Sequence, residues 1–123
     1  MKVIVTAAGT DKVSNVDPRF GRCPYFVIWK SDSDQLQVID NSSSNAASGA
    51  GVQAAQTVIE RGADAVITGN VGPNAFRALD SASIPVYTGA EGTVEQALSD
   101  WQEEKLQKAE RPTSQGGRGK PGK

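Results

Sequence analysis

Residues 2–8 read KVIVTAA, a run that is β-branched at its centre and apolar on both faces. Such a strand has no side to turn toward water, so it must lie inside a sheet whose two faces are both covered. Two further strand-like runs follow, YFVIWK at 25–30 and QLQVID at 35–40, and the polar stretch SDSD between them makes the pair a hairpin. The periodicity then changes. Val52, Ala55 and Ile59 fall at i, i+3 and i+7 with Val58 beside them, Ser48 precedes them as an N-cap and Gly62 follows as a stop. This predicts a helix over 49–61. ADAVITG at 63–69 is a second buried-type strand, Pro73 opens a helix that runs to Ser81, and IPVY is a short strand. Thr93 and Gln96 then form a capping box ahead of the apolar stripe Val94, Ala97, Leu98 and Trp101. Trp29 and Trp101 are read as core residues.

The order β-β-β-α-β-α-β-α predicts an α/β fold with a mixed five-stranded sheet in the order 3-2-1-4-5. Parallel pairing through right-handed crossovers belongs to the second half and antiparallel pairing to the hairpin. Strands 1, 3, 4 and 5 then run the same way, and the loops at 8–24, 41–51, 69–73 and 88–92 share one rim. Open α/β sheets bind ligands at this rim, and three of these loops lead into helix N-termini, whose free N–H groups favour anions. Arg19, Arg22 and Cys23 belong to the first loop.

The length suits one domain, with residues 1–110 as its body. A single cysteine cannot form an internal disulfide, no N-terminal segment has a signal-peptide pattern, and no apolar run approaches the roughly 20 residues of a membrane span. The expectation is a cytoplasmic protein with a reduced thiol. Histidine is absent, which removes the commonest general base and the commonest metal ligand together. The net charge of −1 hides an asymmetry: residues 1–110 carry nine cations against fourteen acids, whereas 111–123 carry four cations and no acid. The segment RPTSQGGRGKPGK has no large apolar residue to bury, so 111–123 is expected to be a disordered basic tail. Four charges give a poor grip on nucleic acid and argue against such a partner.

Other chemistries fit worse. A nuclease of ribonuclease H type needs carboxylates on the central strand to hold Mg²⁺, and KVIVTAA has none; Asp11, Asp17 and Asp40 are scattered over loops and strand ends. GNVGPN lacks the Gly-Lys-Ser/Thr ending of a phosphate-binding loop. Gly69, Gly72 and Pro73 serve a strand-to-helix turn as readily as a ligand. Cys23 has two readings, a small apolar loop thiol or a thiolate favoured by Arg19 and Arg22.

The segments FGRCPYF, GAGVQAAQ, ITGNVGPNAF and GAEGTVEQAL, in this order over residues 1 to about 105, closely resemble the dinitrogenase iron-molybdenum cofactor biosynthesis family. That family includes NifX-like proteins, the C-terminal domain of NifB, and a small orange protein that carries a molybdenum-copper sulfide cluster. The resemblance implies a three-layer α/β/α ribonuclease H-like fold and non-catalytic binding or carriage of a metal-sulfur cluster, in partnership with a donor or acceptor protein of cluster assembly. It places the cluster-binding positions at Arg19, Arg22, Cys23, Ser48, Gly49, Gly51, Gly69, Asn70, Gly72, Asn74, Gly89 and Gly92, with Cys23 as the candidate metal ligand. Many members carry His where this chain has Ser48, so a His-anchored cluster is excluded here. One thiolate cannot complete a four-cysteine site. The cluster, iron-sulfur or molybdenum-containing, would arrive preformed and be held by amides and arginines in a monomer or a weak homodimer. A small-molecule or nucleotide-binding module using the same rim is the competing reading.

Overall fold

The computed structural model describes residues 1–113. Its strands are β1 (Lys2–Ala7), β2 (Tyr25–Lys30), β3 (Gln35–Asp40), β4 (Ala65–Ile67), β5 (Val86–Thr88) and β6 (Gln107–Lys108), and its helices are α1 (Ala50–Glu60), α2 (Pro73–Ser81) and α3 (Val94–Gln102). They form one sheet in the order β3-β2-β1-β4-β5-β6. β1 pairs antiparallel with β2 and parallel with β4, β2 antiparallel with β3, β4 parallel with β5, and β5 antiparallel with β6.

The expected α/β fold and order 3-2-1-4-5 are present, extended by one strand. β6 has only two residues, both exposed and polar, and therefore carries no hydrophobic pattern from which it could be read. Residues 42–45, expected as open loop, make a 3-10 turn instead, because the Asn41 side chain accepts from the Ser43 N–H and starts it.

The central strand is covered on both faces, as its composition requires. Ile4, Phe26, Ile28 and Val66 point to one side and pack with Ala54, Ala55 and Val58 of α1 and Ala75 and Leu79 of α2. Val3, Val5, Val27, Trp29 and Ile67 point to the other and pack with Val94, Ala97 and Leu98 of α3. The period-2 alternation of the strands thus sorts one sequence into two cores, giving three layers. Trp29 is buried and meets the half-buried Trp101 edge-on at 6.5 Å, while its indole N–H donates to Asp34 at 2.7 Å. Asp34 closes the hairpin with a left-handed φ of 58°, a conformation that Asp tolerates better than most residues.

Thr6 brings the only hydroxyl of β1 into the fully buried interior. Its Oγ1 lies 2.6 Å from the Asp17 carbonyl and 2.8 Å from Thr68 Oγ1. One hydroxyl has one proton, so Thr6 donates to the carbonyl and accepts from Thr68. That chain of bonds ties the first rim loop to β1 and to the end of β4.

The basic segment expected to start at residue 111 is held at its beginning. The Thr113 N–H donates to the Val71 carbonyl at 2.8 Å, and Thr113 Oγ1 accepts from the Val71 N–H at 2.8 Å. The remainder of that segment, 114–123, lies outside the described residues. Val71 is fully buried, so its N–H depends on this partner. Thr113→Val should cost about 1 kcal/mol and lower the melting temperature by about 5 °C, and Thr113→Ser should restore most of it. Calorimetry on the three proteins checks this, with equal midpoints as the contrary result.

Candidate functional site

A cleft of about 590 Å³ opens at the rim where β1, β3 and β4 end. It is bounded by the loop after β1 (Pro18, Arg19, Phe20, Gly21, Arg22), by the start of α1 (Ala47, Ser48, Gly49, Ala50, Gly51, Val52), and by the start of α2 (Asn70, Gly72, Pro73, Asn74, Ala75). Two helix N-termini therefore face one space. Gly49, not Ser48, is the N-cap of α1; it takes a left-handed φ of 74° and offers no side chain to the first turn. The first N–H of α1 with a helical partner is that of Gln53, which donates to Gly49 at 3.0 Å. Those of Ala50, Gly51 and Val52 stand ahead of it, open at the cleft end. α2 is built alike: Gly72 caps without a side chain, Pro73 has no N–H, and Phe76 is the first to find a helical partner, on Gly72 at 2.9 Å.

The third helix end differs. Thr93 caps α3 by accepting from the Gln96 N–H, the Val94 and Glu95 N–H groups donate to Ser14 and Lys12 at 2.9 Å each, and Glu95 puts an acid in the first turn. Its N-terminus is closed by the chain's own groups. Gly89 and Gly92 accordingly stand outside the cleft, and their φ values of 84° and 79° belong to the turn that feeds α3. Gly69 is buried beneath the cleft, where a Cβ would stand 2.6 Å from the Pro18 side chain. Of the positions expected from the sequence, Arg19, Arg22, Ser48, Gly49, Gly51, Asn70, Gly72 and Asn74 are brought together, and Gly69, Gly89, Gly92 and Cys23 are not.

Cys23 requires a correction. Of its two readings, a small apolar thiol or a thiolate at the rim, the structure fits the first: it is fully buried, packed with Phe20 and Phe26, and its Sγ donates to the Phe20 carbonyl at 3.3 Å. Burial, reinforced by the nearby Asp17 carboxylate, pushes the thiol up to about 12 despite a hydrogen bond from Asn41. The thiolate, not the thiol, is the metal-binding form, and Cys23 does not line the cleft. The arginines that flank it in sequence are occupied elsewhere. Arg19 grips Asp17 through Nε at 3.0 Å and Nη2 at 2.8 Å. Burial works to raise the Asp17 carboxyl, but the hydrogen bonds and charge of Arg19 outweigh it and hold that carboxyl below its ordinary value. Arg22 spans to the next loop, donating from Nη1 to the Ser44 carbonyl at 3.2 Å and the Ala46 carbonyl at 2.5 Å.

Asn41 and Gly21 were not singled out in the sequence, and both shape the cleft. The Asn41 carboxamide, buried, donates to the Cys23 carbonyl at 2.7 Å and to the Gly21 carbonyl at 3.1 Å, and accepts from the Ser43 N–H at 3.1 Å. At Gly21 a Cβ would stand 2.7 Å from the Gly51 nitrogen, so only glycine lets the two backbones meet there. An Asn directly after a strand, heading a serine run, is the one sequence signal that could have marked Asn41 as a turn-starter. The ionisable groups that line the cleft are Arg19 and Arg22, and no acid lines it, although Arg19 is paired behind the wall with the buried Asp17. Among the described residues, no three of His, Cys, Asp or Glu come close enough to hold a metal ion, and no helix is long and apolar enough to cross a membrane.

Residues 1–104 match the family model described as dinitrogenase iron-molybdenum cofactor. The apo orange protein of Desulfovibrio gigas is 37% identical and superposes with a TM-score of 0.88 over 92% of this chain and 96% of that one. A protein from Thermotoga described as a putative NifB protein is 34% identical, with a TM-score of 0.77 over 87% and 91% of the two chains. An uncharacterized protein of Methanocaldococcus jannaschii is 28% identical over 100 residues, 79% of this chain and 85% of its own.

The burial of Cys23 has a direct readout. In the folded protein at pH 8 iodoacetamide should leave the thiol unmodified, and in denaturant the thiol should react as a free cysteine does. The raised value also sets a sign: with an ordinary value of 9.0 and a folded value of about 12, the thiol stabilises the fold fully below pH 9 and loses that contribution as pH rises toward 12. Cys23→Ala should therefore show a shallower alkaline loss of stability than the parent. Rapid native alkylation, or identical alkaline profiles, would place the thiol in solvent.

Proposed function

The chain belongs to the dinitrogenase iron-molybdenum cofactor family, and from that premise we propose that it binds and carries a preformed metal-sulfur cluster, without catalysis, in the cleft between α1 and α2. One observation carries the reading: two helix N-termini without side-chain caps open into one cleft whose charged walls are two arginines and no acid. Each such end presents unpaired N–H groups and a partial positive charge, the arrangement that accepts an anion. Sulfide-rich clusters of molybdenum or iron are anions whose outer atoms accept hydrogen bonds, so the donor set fits the cargo.

The chain's own residues would hold this cargo by its outer sulfur atoms. The N–H groups of Ala50, Gly51 and Val52 on one side, and of Asn74 and Ala75 on the other, would donate to it. The carboxamides of Asn70 and Asn74 add neutral donors, and Arg22, which is in no ion pair among the described residues, adds a positive charge, whereas that of Arg19 is offset by Asp17. Cys23 takes no part. The cluster keeps its own ligands, which suits a wall that has neither His nor a free carboxylate. A cargo held by hydrogen bonds and field, with no covalent bond to the protein, can be passed on whole. The fitting partners are therefore a donor and an acceptor protein of cluster assembly, met in the cytoplasm by a monomer or weak homodimer.

Anaerobic titration with tetrathiomolybdate, alone and with iron and sulfide, followed by metal analysis of the desalted protein, tests this. Ser48 is exposed at the mouth of the cleft. Ser48→Asp should leave the melting temperature unchanged or slightly raised, because an acid suits a helix start, and should weaken cluster binding about tenfold through charge alone. Cys23→Ala should bind like the parent. Binding that survives Ser48→Asp but fails in Cys23→Ala would return the site to the thiol. Displacement of the metal species by a nucleotide at low concentration would favour a nucleotide module instead.

A further inference from the structure

The segment DPRFGR puts Asp17 and Arg19 on the loop after β1, and the fold joins them as a pair. The Arg19 side chain is 63% exposed and lines the cleft, whereas that of Asp17 is 7% exposed and lies behind the wall. Arg19 Nε donates to Asp17 Oδ1 at 3.0 Å and Nη2 donates to Oδ2 at 2.8 Å, and the Arg19 backbone N–H adds a third bond to Oδ1 at 2.9 Å. The pairing is bidentate, the geometry in which a guanidinium grips an anion by two of its atoms. In Arg19 that grip is taken by the chain's own carboxylate.

The fold does not need this carboxylate to be charged. The ties of Asp17 to β1 are made by its backbone: its N–H donates to the Thr6 carbonyl at 3.0 Å, and its carbonyl accepts from Thr6 Oγ1 at 2.6 Å. The charge acts at the cleft instead. Arg22 spends Nη1 on the carbonyls of Ser44 and Ala46 and is in no ion pair among the described residues, so the two arginines and Asp17 together leave the site one net positive charge. A cargo held by field and hydrogen bonds is held more tightly with each uncompensated cation, but a carrier must also give its cargo up. A carboxylate fixed behind the wall lowers the affinity by a set amount while leaving the cleft open.

We infer that Asp17 sets the affinity of the cleft: by occupying the guanidinium of Arg19 it withdraws one positive charge from the site and keeps a polyanionic cargo releasable. This rests on the proposed function, whose cleft and class of cargo are assumed. Asp17 is a positioning residue that acts through Arg19 and does not touch the cargo. A dependence on ligand charge follows. One unit of charge added to the site changes the binding energy of a dianion by twice that of a monoanion of the same shape, so the affinity factor for the dianion is the square of the other.

The test titrates the full-length chain under argon with tetrathiomolybdate, a dianion, and with tetrathiorhenate, a monoanion of the same shape, read by visible absorbance. At about 0.02 M salt, where charges act over about 20 Å, Asp17→Asn should bind the dianion about tenfold and the monoanion about threefold more tightly than the parent. Arg19→Gln, which leaves the carboxylate bare, should bind them more weakly by the same factors. The double variant Asp17→Asn/Arg19→Gln, neutral at the pair as the parent is, should return to the parent's affinities. Damage to the rim would weaken every variant, so the gain and its cancellation are results that a merely structural role cannot give. In a folded Asp17→Asn, affinities equal to or below the parent's, or equal gains for both anions, would overturn the role of Asp17 and leave the cleft reading intact. Were circular dichroism to show Asp17→Asn unfolded, Arg19→Gln decides on the same two anions, and no loss or equal losses would overturn the inference. A parent that binds neither anion would remove both readings together.

Discussion

The hydrogen-bonding capacity of one carboxamide is committed between two loops. Asn41 joins the backbone of residues 21–23 to the turn at 42–45, donating to two carbonyls of the first segment and accepting from the second. Around that joint the backbones come into contact: Gly21 lies on Gly51, and Gly69 on Pro18, each too close for a side chain between them. These close approaches fix the loops against one another, and the starts of α1 and α2 border one cleft beside them. The rigidity of the rim is thus obtained beneath it, in buried polar contacts, while the surface that faces the cleft is left with donors unspent.

This arrangement also explains the difference between the three helix starts. α3 has the capping residue, the acid and the loop carbonyls that close a helix N-terminus in the ordinary way. α1 and α2 have glycine caps and none of these. Each open end forgoes the few tenths of a kcal/mol that a Ser, Thr, Asn or Asp cap adds over glycine, and the fold bears that cost twice at one place. A cost concentrated where two ends converge is what a binding site looks like when stability and ligand donors compete for the same groups.

The fold was legible in the sequence because its signals are local and periodic. KVIVTAA, the SDSD hairpin and the stripes of α1 and α3 each state their own burial, and Pro73–Ser81 needs only its proline and its spacing. What escaped was decided by contacts distant in the chain. β6 pairs through backbone alone, so its composition is silent. Cys23 stands between arginines in sequence, which suggests a thiolate, but its side chain turns inward among Phe20 and Phe26 while both guanidinium groups are drawn to oxygen atoms elsewhere. Ser48 has the composition of a cap, yet the left-handed turn at Gly49 moves the helix start one residue past it. The cleft residues on α1 and α2 were legible because helix starts announce themselves, and those of α3 were misassigned because nothing in GAEGT reveals that residues 12–14 will cover it.

The burial of the one thiol has a consequence for redox behaviour. The residues that line the cleft include no cysteine, methionine, histidine, tyrosine or tryptophan. Proline, phenylalanine, arginine, serine, asparagine and small aliphatic groups make up its wall, none of which oxygen or a mild oxidant attacks readily. A wall of this composition has no readily oxidised side chain, so the cleft itself neither donates electrons nor suffers damage when the solution around it turns oxidising.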